Sequence, residues 1–119
     1  MNKVLYIDDA SSMRKLVRMV IGNEFDLTLA DDGQQGLEAL SRHQFDVIIS
    51  DINMPVMTGL EFLEAARKLD NYKFTPILMM TTEASQEMKD QGRNLGATGW
   101  IVKPFDPEKL PTIIRKVLN

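Results

Sequence analysis

Phe45-Asp46-Val47-Ile48-Ile49-Ser50-Asp51 is the stretch on which the fold turns. Its centre is apolar without alternation, so a strand over residues 45–50 is buried on both faces, as in a parallel sheet covered by helices. The run stops on Asp51 and gives way to Ile52-Asn53-Met54-Pro55. Three other apolar stretches stop in the same manner. Val4-Leu5-Tyr6-Ile7 ends at Asp8-Asp9, Ile77-Leu78-Met79-Met80 at Thr81, and Trp100-Ile101-Val102 at Lys103-Pro104. If these are parallel strands of one sheet, all four endings share its carboxyl edge, where open α/β sheets bind ligands. Three carboxylates, a hydroxyl and an ammonium then converge.

The rest of the chain supports that sheet. Residues 3–7 predict a buried strand, and 11–21 a helix with Met13, Leu16, Val17, Val20 and Ile21 on one stripe. Gly22-Asn23 stops it, 26–30 alternates like an edge strand, and Asp31-Asp32-Gly33 makes a turn. A helix over 34–43 buries Leu37 and Leu40, and Met54-Pro55 through Gly59 form a loop. The pattern continues with a helix at 60–69, a strand at 75–80 entered at Pro76, and a polar helix at 84–95 stopped by Gly96. A strand at 98–102 and a helix at 107–118 complete it. Five such units predict a doubly wound α/β fold, a five-stranded parallel sheet with right-handed crossovers and helices on both faces. Strands 45–50 and 75–80 belong at its centre and 26–30 at its edge. Pro111 conflicts with a helix beginning at Pro107, because it removes a donor from the second turn. Either the helix starts later, or its first turn is irregular.

At 119 residues and 13.5 kDa, the chain predicts one domain spanning 1–119, able to bury a single core unaided. With no cysteine and only His43, disulfides, thiolate sites and multi-histidine metal cages are excluded. A net charge of −3 argues against direct nucleic-acid binding. Neither a membrane-length apolar run nor a signal peptide is visible, which points to a cytoplasmic protein without membrane contact. Met79 and Met80 fill core, whereas Met54 and Met57 flank a loop where exposure is open to them.

For Asp8-Asp9 the simplest role is capping the helix that follows, since an aspartate there satisfies free N–H groups. Asp51 has no such helix to cap, and a carboxylate at the mouth of a central strand needs compensation. Two like charges about 4 Å apart repel by about 4 kcal/mol at an effective dielectric of about 20. Lys103 supplies one positive charge; a hard divalent cation supplies the rest. Carboxylate, carbonyl and water oxygens suit Mg²⁺, which leaves positions open for a phosphoryl oxygen. With a lysine and a threonine hydroxyl alongside, this is a phosphoryl-transfer arrangement, and a carboxylate can serve as its nucleophile.

Taken in order and at these spacings, the motifs are highly specific. The chain resembles the receiver domain of two-component response regulators, most closely the stand-alone CheY-like kind. The match runs through Asp8-Asp9, Asp51, Met54-Pro55, Gly59, Thr81, Gly96-Ala97 and Lys103-Pro104-Phe105. The resemblance implies the strand order 2-1-3-4-5, for which CheY itself is a standing example. It also implies that Asp51 is the phosphoacceptor, served by a sensor histidine kinase or phosphotransfer protein. Asp9, Asp51 and the backbone carbonyl of Asn53 would ligate Mg²⁺, with Asp8 acting mainly through a water. Lys103 and Thr81 would hold the phosphoryl oxygens, Thr81 moving inward on activation. Lys103-Pro104 would be cis. Asn53 and Glu83 occupy positions that tune hydrolysis of the phosphoryl group; both are polar and permit an in-line water.

Trp100 departs from the family, which usually carries tyrosine or phenylalanine three residues before the lysine. It either switches differently, stays exposed on the output surface, or is an aromatic packed at a strand start. The implied product is a monomeric signalling module, not an enzyme beyond its own phosphorylation and dephosphorylation. Ending at its fifth helix, the chain is expected to carry no output domain. A protein partner would read the 84–118 surface, and the FDPEKLPTIIRKVL ending is chemotaxis-like. His43 reads as a solvated cap, and Arg14, Lys15 and Arg18 as a solvated face with kinase docking as the alternative.

Two other classes fit less well. A metal-dependent phosphohydrolase of the haloacid dehalogenase type places its two acids two residues apart after the first strand, not adjacent. A flavin carrier needs a hydroxyl- and glycine-rich loop where Asp8-Asp9 would repel phosphate.

Overall fold

Strands and helices alternate strictly along the chain. A computed structural model describes residues 1–83 and 85–119. The strands are β1 (Lys3–Ile7), β2 (Asp26–Ala30), β3 (Val47–Asp51), β4 (Ile77–Thr81) and β5 (Gly99–Val102). The helices are α1 (Ser11–Ile21), α2 (Gly33–Arg42), α3 (Gly59–Arg67), α4 (Gln86–Asn94) and α5 (Leu110–Leu118). All strand pairs are parallel, in the order β2-β1-β3-β4-β5. The doubly wound sheet and its central and edge strands are as expected.

Side-chain alternation divides the core into two layers. Leu5, Ile7, Ile48, Ile77 and Met79 pack with Leu40 of α2 and Phe62, Leu63 and Ala66 of α3. Val4, Tyr6, Val47, Ile49, Leu78 and Met80 pack with Val17 and Ile21 of α1 and Leu110 and Ile114 of α5. Every residue of β3 and β4 is buried, which explains their unbroken apolar character.

Local chemistry sets the helix boundaries. The Asp31-Asp32-Gly33 turn is also a cap, because the Asp32 carboxylate accepts from the Gln35 N–H at 2.9 Å. Thr58 and Glu61 form a reciprocal capping box at the start of α3. Ser85 caps α4, which therefore begins at Gln86; residue 84, where the sequence placed its start, lies outside the described residues. Both readings of Pro111 hold in part. Pro107–Lys109 form a single 3₁₀ turn, and α5 starts only at Leu110, so Pro111 lies in its first turn, where no intrahelical donor is required.

Two expectations need correction. Asp51 and Thr81 are the last residues of their strands, held in the ladder by register: Asp51 lies beside Met80 and Thr81 beside Val102. Met54 is buried and Met57 half-buried, because the loop after β3 folds back onto the core. The Gly59 N–H closes that loop on the Ile52 carbonyl at 2.8 Å, and a Cβ on Gly59 would collide with the Asp51 carbonyl oxygen.

Candidate functional site

The sheet register assembles the acidic centre. Ile7 pairs with Ser50, so Asp8 and Asp51 leave neighbouring strands at the same level. Asp8 shares the parity of Val4 and Tyr6, and Asp51 that of Val47 and Ile49, so both project on the α1/α5 face. Oxygens of Asp8, Asp9 and Asp51 all lie within 4.8 Å of one another. Asp8 is wholly buried and Asp51 is 7% exposed, whereas Asp9 is exposed.

Lys103 reaches this cluster from the end of β5. Its Nζ lies 3.0 Å from Asp51 Oδ2 and 3.4 Å from Asp8 Oδ2. Asp51 Oδ1 accepts from the Ile52 N–H at 2.9 Å. Burial nonetheless raises the Asp51 pKa, with Lys103 opposing and Asp8 reinforcing the shift. Burial also works against the charged form of Lys103. The hydrogen bond to Asp51 and the fields of both acids outweigh it, leaving the lysine pKa above its usual value. One ammonium is shared between two buried carboxylates, and a third stands beside them. Oxygen ligands, crowded negative charge and one solvent-exposed member fit a hard divalent cation.

Thr81 is buried at the adjoining end of β4; its Oγ1 accepts from the Glu83 N–H at 3.1 Å, and its carbonyl accepts from the Lys103 N–H at 2.8 Å. Asn53 lies two residues beyond Asp51 in the loop after β3, with its side chain exposed. The Lys103-Pro104 peptide is cis. The structure thus brings Asp8, Asp9, Asp51 and Lys103 together, with Thr81 and Asn53 on flanking segments.

Trp100 is not part of this cluster. It belongs to the opposite sheet layer and is half-buried against α4, where a Cβ on Gly92 would come 2.6 Å from Cζ3 of the indole. Full exposure, one of its three readings, is therefore excluded. Its Nε1 is, among the described residues, the buried side-chain polar atom that finds no partner.

Asp8 does not cap α1. Its Oδ1 accepts from the Ala10 N–H at 3.0 Å, one residue before the helix, and α1 has no side-chain cap. Arg14 is also not merely a solvated face. It reaches back to the loop after β1, donating to the Asp8 carbonyl at 2.7 Å and pairing with Asp31 at 3.4 Å. Lys15 and Arg18 are exposed as expected, and exposed His43 follows α2 as its C-cap.

Sequence reasoning missed Tyr6, taken as an apolar member of its strand. Its phenol donates to Asp8 Oδ2 at 2.8 Å, and burial beside that acid pushes its pKa far above the usual range. The signal was present: residues two apart on a strand share a face, so a phenol at position 6 looks toward a carboxylate at position 8. A second unforeseen feature is Val56, whose φ of 70° places a branched, exposed side chain in the left-handed region of the loop after Asp51.

Comparison with known proteins agrees with this geometry. The family described as response regulator receiver domain matches residues 4–115. Chemotaxis protein CheY of Pseudomonas aeruginosa is 37% identical over 119 residues, covering 98% of this chain and 96% of its own. The solved structure of chemotaxis response regulator CheY4 of Vibrio cholerae is 50% identical, with a TM-score of 0.94 and 99% of each chain covered. The chain spans 56% of a third relative, the probable transcriptional regulator ycf29 of Porphyra purpurea, at 32% identity. No helix among the described residues is long and apolar enough to cross a membrane. The chain belongs to the response regulator receiver domain family.

Proposed function

We propose that this protein is a stand-alone chemotaxis-type receiver, operated by transfer of a phosphoryl group to Asp51. The observation that carries this reading is the Asp51 carboxylate, nearly buried, 3.0 Å from Lys103 and clustered with Asp8 and Asp9. A carboxylate oxygen of Asp51 attacks phosphorus, forming an O–P bond as the N–P bond of a kinase or phosphotransfer phosphohistidine breaks. Asp8, Asp9 and Asp51, with the Asn53 carbonyl, would hold Mg²⁺, which neutralises phosphoryl charge when bound.

Lys103 then exchanges its bond to the free carboxylate for one to the phosphoryl oxygens. The Thr81 hydroxyl, at the end of the neighbouring strand, turns toward the same group. The reading limits the chain's chemistry to gain and loss of its own phosphoryl group. The output is recognition by a protein partner on the surface of α4, β5 and α5. A cleft of about 380 Å³ beside Trp100, with Lys89 and Arg93 among its lining residues, supports that placement. We assign Trp100 a part in the switch at this surface. Its work as a cytoplasmic monomer belongs to the same reading.

The test is intact mass after incubation with Mg²⁺ and acetyl phosphate. One added phosphoryl group is expected, and none in Asp51→Ala. Absence of the adduct in the parent, with steady turnover of small phosphate esters, would sink the receiver mechanism.

A further inference from the structure

We propose that Tyr6 is a positioning residue of the acidic centre, holding the Asp8 carboxylate in place for a divalent cation. This rests on the reading of Asp8, Asp9 and Asp51 as a cation site. Tyr6 is wholly buried in the layer formed with Val4, Val47, Ile49 and Met80. A phenylalanine would fill that space as well, so the hydroxyl has no packing role there. Its partner is Asp8 Oδ2, at 2.8 Å.

Asp8 depends on that bond. The residue has no contact with solvent, so its two oxygens must be satisfied internally. Oδ1 takes the Ala10 N–H at 3.0 Å, whereas Oδ2 takes the phenol and, more distantly, Lys103 at 3.4 Å. Without the hydroxyl, Oδ2 keeps only the long contact to an ammonium that is closer to Asp51. Repulsion from Asp51 then acts on a carboxylate firmly held at one oxygen and only loosely at the other. The phenol also differs from Lys103 in kind. It donates a hydrogen bond without positive charge, so it orients the acid without repelling an incoming cation. Groups that orient metal-binding side chains in this way are typically worth about 10- to 100-fold in affinity.

The experiment is calorimetric titration of Mg²⁺ into the parent, Tyr6→Phe, Asp8→Asn and the double variant, with folding verified by circular dichroism. Tyr6→Phe should bind about tenfold more weakly. Added to Asp8→Asn, it should change nothing further, because Tyr6 acts through Asp8. Equal affinity in folded Tyr6→Phe, or an undiminished effect in the Asp8→Asn background, overturns the proposal. A parent that binds no Mg²⁺ overturns the underlying reading instead, and the proposal with it. Should Tyr6→Phe fail to fold, the parent labelled with ¹³C at tyrosine Cζ decides. The chain has two tyrosines, and Tyr72 bonds to His43 and Phe45, away from the acids. The Tyr6 resonance should move with the Mg²⁺ titration while that of Tyr72 stays fixed; a stationary Tyr6 overturns the proposal.

Discussion

The two edges of the sheet each draw charged side chains in from the surface, and they do so in opposite ways. Below the amino ends of the strands, Arg67 donates to Gly96 O at 3.0 and 2.8 Å, to Tyr72 O at 2.7 Å and to Thr75 O at 2.6 Å. One cation thus ties the end of α3 to the segments entering β4 and β5, and every partner is a neutral carbonyl. Gly96, with φ of 102°, turns its carbonyl into this staple. Nearby, the buried Tyr72 hydroxyl accepts from Phe45 N–H at 3.1 Å and donates to the His43 carbonyl.

At the carboxyl edge, three carboxylates cluster, and one ammonium reaches two of them. The first arrangement engages all three nitrogens of the guanidinium and fastens the chain. The second leaves negative charge in excess, and that excess draws a cation and makes a carboxylate available as nucleophile. Charge is structural where neutral acceptors meet it, and chemical where like charges crowd together.

The contrast can be broken first at the staple. Arg67→Ala leaves three carbonyls without their donor and should lower stability by about 3 kcal/mol in urea denaturation. A loss under about 1 kcal/mol would show that water replaces the guanidinium and that the amino edge is not fastened by it. The next effect belongs to the other edge. Mg²⁺ at about ten times its dissociation constant should stabilise the parent by about 1.4 kcal/mol, and Arg67→Ala by the same amount. Asp51→Asn should gain less; an equal gain would place the cation elsewhere.

The smallest effect sharpens the comparison. Without divalent cation at neutral pH, Asp51→Asn should be more stable than the parent by about 1 kcal/mol, because Lys103 keeps Asp8 as a partner. The sign follows from burial. Asp51 in the folded chain holds its proton above the ordinary value of 3.8, so its ionisation costs stability as pH rises past that value. The advantage of the variant should therefore shrink as pH falls toward 3.8 and vanish below it. Paired denaturation curves across that range would reveal a destabilised variant, the result that contradicts crowding.

Much of this was legible in the sequence for a local reason. The unbroken apolar run of β3, the stripe on α1 and the turn at Asp31-Asp32-Gly33 depend on near neighbours, so spacing alone reveals them. The strand endings were equally legible: once the strands are parallel, Asp8, Asp51, Thr81 and Lys103 must share an edge. Other features depended on contacts that no local pattern encodes. Met54 looked open to solvent in its loop, but the loop folds onto the core and buries it. The Pro111 conflict was resolved by a 3₁₀ turn that the single sequence left open.

The sequence by itself determined the order of elements, the sheet and the acids at its edge, because these follow from periodicity and from punctuation by glycine and proline. Tertiary structure alone decided which carboxylate is buried, that Lys103 sits between two of them, and that Arg67 closes the far edge. Those bonds span from 5 to 95 residues along the chain, and the longer ones exist only once strand register and helix packing bring their partners within reach.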